Sequence, residues 1–324
     1  RGNMKLVNLK NFQRGNTFIV YHVISFLKVL ERGLGETSFK KFPPAASLFF
    51  FTLHRQRNPL LLHIHSEDAD GDELCDNCGT ATVVVVDIYS INDLHGKFCD
   101  TESNVGIDEL ATYLKTERAK DDYSVLISAG DTWQGSAESN LTGGAILTEW
   151  MNMMGFAAMT LGNHEFDWGE DAIRENDELA DFPFLAINVY DNRTGKLADY
   201  CDPSVMVDLG AIQVGIIGAI GDCYSSISSD KVTGVHFKVG SELTALVKAE
   251  AKSLRDAGAD LIVYSLHDGR GQSSSGTSTV SSSELAGYYQ SSLGAFVDVV
   301  FEGHTHQSYV LKDGNGTYHL QGGG

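Results

Sequence analysis

The chain has 324 residues, 42% of them hydrophobic, which allows one large domain or two ordinary ones with a sizeable core. Its formal net charge of -19 is uneven: residues 1–66 hold 10 Lys/Arg against 2 Asp/Glu, leaving 14 of the 24 basic and 41 of the 43 acidic residues to 67–324. So acidic a main body argues against a nucleic-acid polymer as partner, which needs phosphate-neutralising Lys and Arg, yet admits a small anionic substrate where bound dications reverse the local field.

Residues 1–66 read as a basic leader of unclear structure. Phe18 to Leu30 and Ala45 to Leu53 are apolar patches with interspersed basic residues and little periodic pattern, compatible with a damaged signal region or with a leader lacking fixed structure. The chain opens on Arg1 and closes on Gly322-Gly323-Gly324, as if cut at both ends. Residues 67–81 form an acidic Asp/Cys linker. In it Asp68, Asp70 and Asp72 alternate around Gly71 like the first half of a calcium loop, but no Glu stands where an EF-hand would close. Cys75 and Cys78 are the one tight pair among five cysteines, so no disulfide framework is described. The segment resembles short linkers of secreted Gram-positive surface proteins, which points to an extracellular or cell-surface location in a bacterium. No apolar run reaches the ~18 residues of a transmembrane helix.

From residue 82 to 324 the pattern is regular. Val83–Val86, continued by Ile88, is a β-branched strand leading to Asn92-Asp93-Leu94-His95-Gly96. Helical spacing follows over Ile107–Lys120, then a strand over Ser124–Ser128 running into Gly130-Asp131. A helix over Ala145–Met154 precedes a strand over Ala157–Leu161 that runs into Gly162-Asn163-His164-Glu165. Ala172–Leu179 is helical, Phe182–Val189 a strand, and Val205–Ile220 two strands joined near Gly210. A helix over Glu242–Ala257 leads to a strand over Leu261–Leu266 ending in His267-Asp268-Gly269. Ser273–Ser283 is a flexible Ser/Thr/Gly loop by composition. Val297–Phe301 is a strand ending in Gly303-His304-Thr305-His306, and Ser308–Gln321 is a hairpin turning at Asp313-Gly314-Asn315-Gly316. Strands alternating with helices predict an α/β domain, whose ligand sites form at the carboxyl ends of strands.

Every candidate ligand stands at such an end. Asp93 and His95 are close enough for one turn to aim both at a cation, and the two oxygens of Asp131 can bridge two. Asn163 offers a neutral carbonyl oxygen; His267, His304 and His306 offer imidazole nitrogens. Two cations ~3.5–4 Å apart can hold water and phosphoryl oxygens together, so the pattern predicts metal-assisted hydrolysis at phosphorus. His164 need not be a ligand and can protonate the leaving alkoxide, with Asp167 orienting it and raising its basicity. Mixed nitrogen and oxygen donors without thiolate fit Zn, Mn or Fe.

Residues 83–321 resemble the catalytic domain of the calcineurin-like metallophosphoesterases, and within them the 5'-nucleotidase branch with its UDP-sugar hydrolases and 2',3'-cyclic-nucleotide phosphodiesterases. The matching stretches are Asn92-Asp93-Leu94-His95-Gly96, Gly130-Asp131-Thr132-Trp133-Gln134-Gly135, Gly162-Asn163-His164-Glu165-Phe166-Asp167, His267-Asp268-Gly269 and Gly303-His304-Thr305-His306. The resemblance implies a four-layer α/β/β/α sandwich. It implies a first cation on Asp93, His95 and His306, a second on Asn163, His267 and His304, Asp131 bridging them, and His164 with Asp167 as catalytic dyad. The implied substrate is a small phosphorylated molecule, a nucleotide. Members of this branch carry a C-terminal nucleotide-binding domain, and the sequence is expected to contain the catalytic domain alone. Two alternatives share the core: a thiosulfohydrolase-like enzyme, and a surface binding module that has lost turnover.

Overall fold

The structure, a computed structural model, describes residues 12–14, 17–25, 49–56, 83–99, 105–121, 123–269, 296–313 and 317–323. The acidic linker, the Ser/Thr/Gly loop and the Gly314-Asn315-Gly316 turn lie outside the described residues. Three strands come first: β1 (Phe12–Arg14), β2 (Thr17–Ser25) and β3 (Phe49–Gln56). The last pairs antiparallel with β4 (Val83–Ile91), from Phe49 opposite Ser90 to Gln56 opposite Val83. The backbone of the basic N-terminal segment thereby extends the first sheet beyond β4.

Alternating helices and strands follow: α1 (Ile107–Arg118), β5 (Ser124–Ser128), α2 (Ala137–Leu141), α3 (Ala145–Met154), β6 (Ala158–Thr160), α4 (Glu170–Leu179) and β7 (Phe184–Leu185). Strands β4, β5, β6 and β7 pair in parallel in that order. Local signals bound these helices. In α1, Asp108 and Glu109 occupy the first turn and Lys115 and Arg118 the last, complementing the helix dipole. Gly155 ends α3 at φ 67°, a left-handed position glycine takes without a Cβ penalty.

The second sheet is built from β9 (Ser204–Asp208), β10 (Gln213–Ile220), β12 (Leu261–His267), β13 (Val299–Glu302), β14 (Ser308–Lys312) and β15 (Tyr318–Gly322), in the order β14-β15-β13-β12-β10-β9. Helix α5 (Ser241–Asp256) connects the parallel neighbours β10 and β12. The expected strand over Phe182–Val189 is instead divided. Phe184–Leu185 pairs in the first sheet, and β8 (Val189–Asp191) pairs with β11 (Val235–Phe237) in a separate ribbon. Asn188 explains the break. Its buried amide donates to Ile220 O at 2.7 Å and Lys238 O at 3.0 Å and accepts from Ile220 N at 3.1 Å, turning the chain away from the sheet.

Period-two alternation builds the layers. Val86, Ile88, Val125 and Ile127 from the first sheet meet Val214, Ile216, Leu261, Val263, Val299 and Phe301 from the second in one buried cluster. On the outer face of the first sheet, Tyr89, Ile91, Leu126 and Met159 pack with Leu114 of α1, Leu147 and Met151 of α3 and Ile173 of α4. On the outer face of the second, Ile217, Ile262, Tyr264 and Val300 pack with Val247, Ala251 and Leu254 of α5. The molecule is the expected α/β/β/α sandwich. Strands covered on both faces read as continuous apolar runs, as β12 does with every residue buried.

Candidate metal centre at the strand ends

Among the described residues, five that are not glycine adopt positive φ: Asp93 (51°), His95 (48°), Asp131 (53°), His304 (70°) and His306 (51°). All five are among the donors read from the sequence. Left-handed backbone costs a non-glycine residue of order 1 kcal/mol or more, and it persists only where surrounding contacts enforce it. Those contacts run between the loops. Asp93 N donates to Gly130 O, His95 N to Asp131 O and Gly96 N to Thr132 O, at 3.0, 3.0 and 2.9 Å, so the segments after β4 and β5 remain paired beyond the sheet. The Asp93 carboxylate accepts the His304 N–H at 2.9 and 3.0 Å, tying the first loop to the loop after β13. A Cβ at Gly162 would stand 2.3 Å from Asp131 Oδ1, so only glycine lets the loop after β6 approach that carboxylate.

The structure brings the predicted donors together. Asp93, His95 and His306 offer donor atoms within 4.8 Å of one another, as do Asp93, Asp131 and His267, and as do His95, Asp131 and His164. Asn163 Oδ1 lies 3.3 Å from His267 Nε2. His304 joins through His267, its ring centroid 5.6 Å away. Asp167 stands beside the cluster with Oδ2 2.8 Å from His164 Nδ1.

Hydrogen bonding to backbone carbonyls fixes which ring nitrogens carry lone pairs. His95 Nδ1 lies 3.1 Å from Gln134 O and His267 Nδ1 lies 2.7 Å from Ala129 O. A carbonyl accepts only from N–H, so each Nδ1 is protonated and each Nε2 faces the cluster, a free acceptor in the neutral ring. His95 Nε2 then meets His306 Nε2 at 3.0 Å, and His267 Nε2 meets Asp131 Oδ2 at 3.0 Å. Nitrogen and carboxylate atoms brought this close need a cation or a proton between them, and the mixed N/O donor set fits divalent metal. Between His267 and Asp131 a proton can take the place of a cation. Burial opposes charge on His267, but Asp131 overrides it and pushes the imidazole pKa up to about 10. Burial likewise opposes charge on Asp131, yet His267 holds its carboxyl well below the usual range. Burial lowers the pKa of His95 and of His304, which suits neutral imidazole ligands. For His164, burial is outweighed by the Asp167 hydrogen bond and its pKa is raised.

Two side chains escape the reading of ligand types. Glu165 is fully buried, and its carboxylate accepts backbone N–H groups from Thr132 (2.7 Å), Trp133 (3.3 Å), Asp131 (2.9 Å) and Gly162 (2.7 Å). It therefore clamps the loops after β5 and β6 together. Burial and the neighbouring Asp131 push its pKa up to about 7, while the N–H donors favour the charged form. Its place inside Gly162-Asn163-His164-Glu165 was the available signal. Cys223 also reaches the cluster, with Sγ, a His267 nitrogen and a His304 nitrogen within 4.8 Å of one another. Nothing in the spacing of the cysteines announced that.

The calcineurin-like phosphoesterase family profile matches residues 86–308. The 5'-nucleotidase of Diplobatis ommata is 30% identical over 203 residues, covering 59% of this chain and 34% of that protein. The 5'-nucleotidase of Vibrio cholerae is 28% identical over 235 residues, covering 70% of this chain and 41% of that protein. This chain thus spans less than half the length of either relative. A solved Staphylococcus aureus structure, provisionally described as a 5'-nucleotidase in complex with alpha-ketoglutarate, superposes with a TM-score of 0.61 at 24% identity over 74% of this chain and 48% of that one, a likeness of fold. With residues 86–308 matched and the strand-end donors converging, the chain belongs to the calcineurin-like phosphoesterase family, whose members hydrolyse phosphoesters with divalent metal.

Proposed function

We propose that this chain hydrolyses phosphomonoesters with two divalent cations, its substrates being nucleoside 5'-phosphates or related nucleotides. The convergence of potential ligand atoms carries the reading: His95 Nε2 and His306 Nε2 lie 3.0 Å apart, as do His267 Nε2 and Asp131 Oδ2. Asp93, His95 and His306 would hold one cation; Asn163, His267 and His304 the other. Asp131 would serve both, since Oδ2 lies 3.0 Å from His267 Nε2 and 4.0 Å from His95 Nε2. Zinc, manganese or iron suits the nitrogen and oxygen donors, and such cations supply Lewis-acid polarisation of phosphoryl oxygens and activation of water. The remaining work falls to the chain's own groups. Asp167 fixes His164 through Nδ1 at 2.8 Å, leaving Nε2 to give its proton to the leaving oxygen. Glu165 keeps the loops carrying Asp131 and Asn163 in register.

The choice of nucleotides rests on the 5'-nucleotidase names of the relatives, and no helix among the described residues is long and apolar enough to cross a membrane. An extracellular or cell-surface site of action accompanies the reading, supported by the Asp/Cys-rich segment 67–81. The test measures metal content and phosphate release from AMP, UMP and p-nitrophenyl phosphate with Mn²⁺ or Zn²⁺ supplied. About two equivalents of metal and metal-dependent release are expected. Folded, chelator-free protein that takes up only trace metal, or metal-loaded protein that releases no phosphate from any of the three, would overturn it.

A further inference from the structure

We propose that Cys223 is a thiolate donor to the cation held by His267 and His304, making that subsite a mixed nitrogen and sulfur site that prefers zinc to manganese. This rests on the metal-centre reading above and adds a donor to it. Cys223 lies on the 3-10 turn Asp222–Ser226 directly after β10. The parallel register of β10 and β12 sets Ile220 opposite His267, so this turn sits over the end of β12 that carries the ligand. Cys223 Sγ donates to the His267 carbonyl oxygen at 2.9 Å. Sγ and one nitrogen each from His267 and His304 lie within 4.8 Å of one another. Zn–S bonds of ~2.3 Å and Zn–N bonds of ~2.0–2.1 Å bring neighbouring donors within roughly 3–3.6 Å of one another, so side-chain shifts of about an ångström or more would close the triad.

The turn is held where this requires. Gly221 N donates to His267 O at 3.0 Å, and the Asp268 carboxylate accepts from Asp222 N at 2.8 Å and from Gly269 N at 2.8 Å. A buried cysteine ordinarily acts as a small apolar filler. Cys201 shows that role: its Sγ lies 3.6 Å from the carbonyls of Ala186 and Ala198, in no group of potential ligands among the described residues. Cys223 differs in having two ligand imidazoles as neighbours. On metal binding its S–H bond breaks, the proton leaves to solvent, and a sulfur–metal bond forms. Soft thiolate then shifts preference toward zinc and cobalt and away from manganese.

The experiment uses the whole chain carrying Cys75→Ser and Cys78→Ser, so that this pair cannot contribute sulfur ligation. It is loaded with Co²⁺ to measured stoichiometry. A sulfur-to-cobalt charge-transfer band in the near ultraviolet is expected, unchanged by Cys99→Ser and lost on Cys223→Ser. The preference for Zn²⁺ over Mn²⁺ in competition should fall by about 10-fold or more with Cys223→Ser, the scale of a lost site contact. Full cobalt occupancy without the band, or a band that survives Cys223→Ser, overturns the thiolate but leaves the metal centre standing. Folded protein that binds no cobalt overturns both. Should Cys223→Ser fail to fold, X-ray absorption of the zinc-loaded protein retaining Cys223 decides. A sulfur shell at ~2.3 Å supports the assignment, and nitrogen and oxygen neighbours alone refute it.

Discussion

His164 and Asp131 touch, His164 N donating to Asp131 Oδ1 at 2.9 Å, yet the proposed function gives their side chains different tasks. Asp131→Ala removes a buried carboxylate from among imidazole acceptors and should lower metal content measured by elemental analysis. His164→Ala removes the group proposed to protonate the leaving oxygen. It should leave the metals bound and cut turnover by ~10²–10⁴-fold. Metal loss from His164→Ala would show that its ring is a ligand instead. Glu165 makes a third case. Its loss strands backbone N–H groups of Thr132, Trp133, Asp131 and Gly162, and each buried unsatisfied donor costs ~1–3 kcal/mol. Glu165→Ala should therefore destabilise by about 3 kcal/mol or more in denaturant titration. It should also weaken metal uptake, because the Asp131 loop loses its anchor.

At the scale of elements, the metal loops hang on strands whose own polar residues are buried. Glu302, at the end of β13, lies two residues before His304, and His319 on β15 sits 3.1 Å from its carboxylate. His319 also lies 3.6 Å from Asp313. Burial opposes its charging, but hydrogen bonds to Asp313 and Glu302 push its pKa up to about 9. The ordinary imidazole value is about 6.5. A raised pKa means that the folded state binds the proton more tightly than the unfolded state. The resulting stability is full below about pH 6.5 and lost as pH rises through about 9. Urea titrations at pH 6 and pH 9.5 should show lower stability at the higher pH. His319→Gln should shrink that difference, and an undiminished difference would assign the pH dependence elsewhere.

For the whole molecule, the N-terminal segment poses the sharpest question. Its β3 covers the edge of β4 from Val83 to Ser90, while the ligand loops lie at strand ends and pair with each other. A chain starting at Thr80 should keep its fold and its metals, because the candidate ligand loops after β4 and β5 are held by pairing with each other. The exposed edge of β4 should then promote self-association, as an unpaired strand edge does. Sedimentation and metal analysis of the shortened chain check both halves. Loss of the folded state would show that the segment is part of the core.

Strand and helix order, the α/β class and the candidate donor residues were legible because each rests on local pattern: apolar runs for doubly covered strands, helical periodicity between them, and donor residues directly after the runs; the layered sandwich followed from the family resemblance instead. The division at Asn188 was not legible, since its amide is satisfied by Ile220 and Lys238 from distant segments. Neither was the clamp by Glu165, whose partners include residues 32 to 34 positions away, nor the arrival of Cys223 beside His267, 44 positions on. The sequence by itself determined which candidate donor residues stand after which strands. Tertiary structure alone decided which nitrogen of His95 and of His267 faces inward and which thiol lies beside His267. Those outcomes depend on sheet register and on carbonyls supplied by neighbouring strands, and no local pattern encodes them.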